Sequence, residues 1–158
     1  MKVYKHGAGI AIVDDGTNPY NRRVLLGKRS DGQGWSMAGG KKEPGETSLE
    51  TALRELKEEF GIELSKDDIN IGEFNRFFGE ANIKGQKIMA VSKMYIYFKP
   101  ENKKLEFHTS PEFTEIRWFT LEEILTEIDH LFPITNAILN AIFYTELDDD
   151  YTLDNIKD

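Results

Sequence analysis

The chain has 158 residues, with 28 acidic against 20 basic side chains, a net charge of −8, and no cysteine. This length suits one domain with a real core, and the missing thiols exclude both disulfides and thiolate metal sites. The acidic balance argues against tight, nonspecific binding to nucleic-acid backbones, and no stretch approaches the ~18 apolar residues of a membrane span.

Residues 3–13, VYKHGAGIAIV, are β-branched and apolar enough for a central strand, and 14–21, DDGTNPYN, carry the turn formers of a loop. Residues 24–26 read as the partner strand of a hairpin. A helix is expected after the Pro44-Gly45 turn. Residues 71–78 and 88–98 are further strands around a 79–85 connection, and 113–119 is another. Residues 121–128 and 134–147 look helical. The order fits an α/β domain over 1–147, a mixed sheet with helices packed on it. Residues 148–158 are acidic and read as a loosely held tail. The N-terminus lacks a signal peptide's apolar core, so a cytoplasmic location is the expectation.

The most informative segment is 40–62, GKKEPGETSLETALRELKEEFGI. Leu49, Ala52, Leu53, Leu56 and Phe60 recur at the spacing a helix buries against a core. Thr47 or Ser48 is placed to cap its start, with Glu50 or Glu46 near the positive end of the helix dipole. Gly61 follows where a left-handed C-terminal residue is wanted. Glu55, Glu58 and Glu59, at spacings of three and four, share another face. Carboxylates this close raise one another's pKa unless a cation neutralises them, and a hard divalent ion such as Mg²⁺ takes oxygen ligands of this kind. The plainer reading is a solvated acidic face, with Glu50 and Arg54 as an i, i+4 pair. It leaves Gly40, Glu46 and Gly61 at their offsets unexplained.

Those offsets resemble the Nudix box, G-x5-E-x7-R-E-U-x-E-E-x-G-U with U aliphatic: Gly40, Glu46, Arg54-Glu55-Leu56, Glu58-Glu59, Gly61 and Ile62 fill every fixed position. The resemblance implies a mixed β-sheet sandwiched between α-helices, and Mg²⁺- or Mn²⁺-dependent hydrolysis of a nucleoside diphosphate linked to another group. On this basis Glu58 and Glu59 would bind metal, and Glu55 would bind metal or deprotonate the attacking water. The Gly39 carbonyl would be a further ligand, and Arg54 would hold a box carboxylate in place. Ala38 replaces the proline usual in Pro-Gly-Gly before the box.

Outside the box, the resemblance implies that Lys28 or Arg29 reaches substrate phosphate, with Lys41 and Lys42 as further candidates or as counterions for the box acids. Ser110 to Thr120 resembles the Trp-led strand of MutT-type members, which carry an acidic residue in the loop before it. Glu112 stands at that offset, with Glu115 as competitor, and would add a carboxylate to the cluster or act as base. Phe132-Pro133-Ile134-Thr135-Asn136 resembles the start of the last helix in those enzymes, where the Asn contacts guanine. An amide can read a purine edge bidentately, and the segment also reads simply as a helix start. His6, His108 and His130 show no ligand spacing and receive no role.

The resulting expectation is a MutT-type pyrophosphohydrolase cleaving a nucleoside triphosphate, with an oxidised guanine nucleotide as the sharpest candidate, to a monophosphate and pyrophosphate. The partner is then a small nucleotide, with neither nucleic acid nor membrane, and the protein is a monomer or homodimer. One alternative is a Nudix hydrolase of ADP-ribose, nucleotide sugars or dinucleoside polyphosphates. Another is a non-catalytic nucleotide-sensing domain, disfavoured because all the box acids are retained.

Overall fold

A computed structural model describes residues 3–16, 21–83, 85–132 and 134–143. β1 (Val3–Asp14) is the axis of a seven-stranded sheet. Along one edge it pairs in parallel with β6 (Gln86–Phe98), from Val3 opposite Ile88 to Val13 opposite Phe98. β6 in turn pairs antiparallel with β5 (Ile71–Ile83). The other edge of β1 is divided. Residues Ile12 to Asp14 pair with β2 (Arg23–Arg29), whereas Gly7 to Ile10 pair with the short β4 (Ala38–Lys41). Beyond Leu25, β2 therefore leaves β1. It pairs instead with β3 (Trp35–Ser36) on that side, and with β7 (Phe113–Thr120) along its far edge. This divergence opens the sheet, and the candidate site lies in the opening.

Side-chain alternation along β1 feeds two cores. Ala8, Ile10 and Ile12 pack with Ala52, Leu56 and Phe60 of α1 (Ser48–Phe60). Ala11 and Val13 face the other way, packing with Ile124 of α2 (Leu121–Glu127) and with Ile138, Leu139 and Ile142 of α3 (Thr135–Phe143). The mixed sheet is thus sandwiched between helices, as expected. Among the described residues no helix is long and apolar enough to cross a membrane.

α1 is set by its own sequence. Thr47 is the N-cap and forms a reciprocal capping box with Glu50. That contact draws Glu50 away from the i, i+4 pairing with Arg54; Arg54 turns to other acids. Gly61 ends the helix at φ 73°, and a Cβ there would stand 2.2 Å from the His108 ring. Gly61→Ala therefore meets both a left-handed backbone penalty and a clash. It should lose more than about 1 kcal/mol in urea unfolding. Removing the ring as well, with His108→Ala, should recover only part of that loss. Full stability of Gly61→Ala would contradict the packing described.

Several boundaries differ from expectation. The 79–85 connection is mostly ladder: β5 runs to Ile83, opposite Gln86, and Gly85 turns at φ 77°. Gly79 is accommodated because cross-strand pairing with Ala90 supplies what local propensity lacks. The partner strand expected at 24–26 extends to Arg29, because β7 pairs with its charged end. β3 and β4 were not foreseen; Gly39-Gly40 reads locally as a turn, but pairing with Gly9 and Ala8 makes it a strand. α3 is described to Phe143. Its expected continuation to 147, Pro133, residues 17–20 of the 14–21 loop and the acidic 148–158 segment lie outside the described residues.

Candidate active site

The opening between β1 and β2 holds a cavity of about 550 Å³. Its acidic wall is built by three elements. α1 supplies Glu55 and Glu59, and the loop before β7 supplies Glu112. One carboxylate oxygen from each lies within 4.8 Å of the others. β4 fits under them. The Gly39 N–H donates to Glu59 Oε1 at 2.8 Å, and a Cβ on Gly40 would stand 2.6 Å from the Glu55 carboxyl. Glycine at position 40 is thus what lets Glu55 lie against the strand.

The charges are strongly perturbed. Glu59 is only 3% exposed. Burial, then a hydrogen bond with Glu112, pushes its pKa up to about 9, against the opposing Gly39 N–H. Burial also raises Glu55, opposed by Arg54. Glu59 therefore keeps a proton at neutral pH unless a cation takes its place.

Arg54 organises the other side of the helix. Its Nε and Nη2 donate to Glu46 (2.7 and 3.1 Å), Nη1 to Glu55 (2.9 Å) and to Glu58 (3.2 Å), and Nη2 to the Lys41 carbonyl (3.0 Å). The Arg54 contact and the Glu43 N–H hold Glu46 at a pKa of about 2. Glu58 is drawn outward: its side chain is 56% exposed and lies outside the group of three.

The expected phosphate ligands separate. Arg29 lines the cavity, its guanidinium 4.0 Å from the Phe132 ring centroid and paired with Asp31. Lys41 also lines it. Lys28 and Lys42 are exposed and stand outside the wall among the described residues. Glu115 is exposed on β7 and also outside it. Asn136 is 2% exposed, its buried Oδ1 without a hydrogen-bond partner among the described residues. Ile134 and Thr135, rather than Asn136, contribute to the wall.

A family model of the NUDIX domain matches residues 3–138. The chain belongs to the Nudix family. It is 31% identical over 154 residues to an RNA pyrophosphohydrolase of Rickettsia typhi, an alignment covering 88% of this chain and 87% of that protein. A MutT protein of Bacillus halodurans superposes with a TM-score of 0.62 at 25% identity, over 89% of this chain and 80% of that one. A Nudix hydrolase of Alicyclobacillus acidocaldarius shares the fold at 16% identity, with a TM-score of 0.67 over 91% and 93% of the two chains.

The chain is accordingly a Nudix hydrolase of the MutT type, a class that works with divalent metal. Two cavity residues carried no functional signal in the Nudix box. Lys5 lines the wall at the start of β1, and Phe132 stands beneath Arg29. The period-two alternation of Lys5, Gly7 and Gly9 along one strand face is the signal that could have found Lys5.

Proposed function

We propose that the protein is a Mg²⁺-dependent pyrophosphohydrolase of nucleoside 5′-triphosphates, releasing a nucleoside monophosphate and pyrophosphate. The observation that carries this reading is the group formed by Glu55, Glu59 and Glu112, facing Arg29 and Lys41 across one cavity. The acids fit a hard divalent ion: three oxygens converge, and a buried one holds a proton where no cation stands. Mg²⁺, or Mn²⁺, bound there would polarise a phosphoryl oxygen and lower the pKa of a bound water.

The chain's own groups do the rest. Arg29 presents a planar fork to phosphate, pre-oriented by Asp31 and the Phe132 ring. Lys41 adds a second positive charge at the cavity edge. Glu112, exposed at the mouth, is placed to accept a proton from the attacking water, and Glu55 is the other candidate for that role. Attack on the β-phosphorus breaks its bond to the oxygen bridging to the α-phosphorus. That oxygen leaves with the monophosphate, and the water oxygen ends in pyrophosphate. Glu58 would join the metal set only by leaving Arg54 when the ion binds, and the Gly39 carbonyl is a further candidate ligand beside Glu59.

The oxidised-guanine form of this reading rests on Asn136, which is 2% exposed and stands outside the cavity wall that Ile134 and Thr135 line. A second reading is favoured by the relatives: the triphosphate is the 5′ end of an RNA. The acidic surface disfavours holding an RNA backbone but not a terminal triphosphate in this cavity.

Comparing kcat/KM for GTP, 8-oxo-dGTP, a 5′-triphosphorylated RNA oligonucleotide, ADP-ribose, a nucleotide sugar and a dinucleoside tetraphosphate tests both readings. A triphosphate should lead by at least tenfold, and a leading ADP-ribose or nucleotide sugar would overturn the proposal. Arg29→Ala should raise KM for the preferred triphosphate on the order of tenfold while leaving the Tm within a few degrees. An unchanged KM would remove Arg29 from the phosphate site.

A further inference from the structure

Glu112 is an exposed loop residue, yet a carboxyl oxygen of it is held within 4.8 Å of those of Glu55 and Glu59. Its backbone is fastened by Ser30, the residue after Arg29. The Ser30 N–H donates to the Glu112 carbonyl at 2.9 Å. The Ser30 hydroxyl has one proton, shared between the Pro111 carbonyl (2.9 Å) and the Glu112 carbonyl (3.1 Å). The Glu112 N–H in turn donates to Ser110 Oγ at 3.3 Å.

The ladder beneath this loop is irregular at the same point. Lys28 faces Glu115 and Arg29 faces Phe113, so Thr114 is an extra residue on β7. A bulge of this kind bends its strand and re-aims the residues beyond it. Here those residues are the loop 110–112, turned back over the end of β2 where Ser30 waits.

We infer that Ser30 is a positioning residue, holding Glu112 in the carboxylate group and tying the Arg29 end of β2 to it. The inference rests on the reading of Glu112 as part of the site. Groups that orient metal ligands set affinity or rate by factors of roughly 10 to 100, and Ser30 acts on Glu112 through its main chain.

The test measures Mn²⁺ binding by electron paramagnetic resonance without substrate, and GTP turnover as Mg²⁺ is varied. Ser30→Ala should weaken Mn²⁺ binding on the order of tenfold and raise the half-saturating Mg²⁺ by a similar factor. Ser30→Thr, which keeps the hydroxyl, should restore both. In a Glu112→Gln background, Ser30→Ala should add less than about twofold. Unchanged Mn²⁺ affinity in Ser30→Ala, with Glu112→Gln itself impaired, would overturn the inference alone. An equal loss in both backgrounds would reduce Ser30 to a general structural role and also overturn it. Normal Mn²⁺ binding in Glu112→Gln would remove Glu112 from the site, and the inference with it.

Discussion

Glu59→Gln should lower kcat on the order of a thousandfold and, in metal-free protein at pH 8, raise the Tm by about 5 °C. Both effects come from one carboxylate. Glu59 is the most buried of the three, fixed by the Gly39 N–H, and its replacement removes the charge around which a cation would assemble. The amide keeps both an acceptor for Gly39 and a donor toward Glu112, as the protonated acid does, so the fold should persist. Stability moves the other way. Between the usual glutamate pKa and about 9, the unfolded chain has released this proton and the folded chain has not. The unfolded state then binds fewer protons, so this group's contribution falls as pH rises through that window and levels off above about 9. Glutamine has no such loss. The Tm gain should vanish near pH 4, and Mg²⁺ should stabilise the unsubstituted protein more than the variant at pH 8. A variant with full turnover, or with a Tm difference independent of pH, would contradict this account.

Arg54→Ala should be nearly as damaging to activity, and clearly destabilising. Its guanidinium joins Glu46, Glu55, Glu58 and the Lys41 carbonyl, and so ties the segment before α1 to the helix. Without it Glu55 loses the partner that opposes its burial, and its carboxyl is pushed further toward the protonated form. We expect kcat/KM to fall on the order of a hundredfold and the Tm to drop by about 5–10 °C. Arg54→Lys should recover little of the activity, because one ammonium cannot fork to several acids in a plane. The acid side carries its own signature. Glu46 is held at about 2, so its pairing stabilises above the usual glutamate range and is lost as pH falls toward 2. In Arg54→Ala the fall of Tm between pH 5 and pH 2.5 should be shallower. An unshifted acid profile with retained activity would show the network to be incidental.

How much of this was legible in the sequence depends on how local each feature is. α1 could be read with its cap, its buried stripe and its terminating glycine, because all three are set within 15 or so residues of one another. The strands with continuous apolar runs were legible for the same reason. β4 was not, since Gly39-Gly40 forms strand only through pairing with β1. The box acids could be named but not sorted: Glu58 is drawn outward by Arg54, and Glu59 is buried against β4, where the Gly39 N–H meets it. Glu112 stood out by resemblance alone. What holds it, a bulge on β7 and a serine 82 residues earlier, is a tertiary fact that no window of sequence contains. Asn136 shows the converse, a motif residue that packing leaves 2% exposed and outside the residues lining the cavity.

Metal-dependent cleavage of a triphosphate is the work proposed for the Glu55, Glu59 and Glu112 group. The most direct measurement is the product pattern from GTP in ¹⁸O-water, with Mg²⁺ or with EDTA, read by mass spectrometry. GMP and pyrophosphate are expected, with ¹⁸O in the pyrophosphate, no turnover in EDTA, and a loss on the order of a thousandfold in Glu59→Gln. Release of inorganic phosphate as the first product, or the same turnover in EDTA, would contradict it.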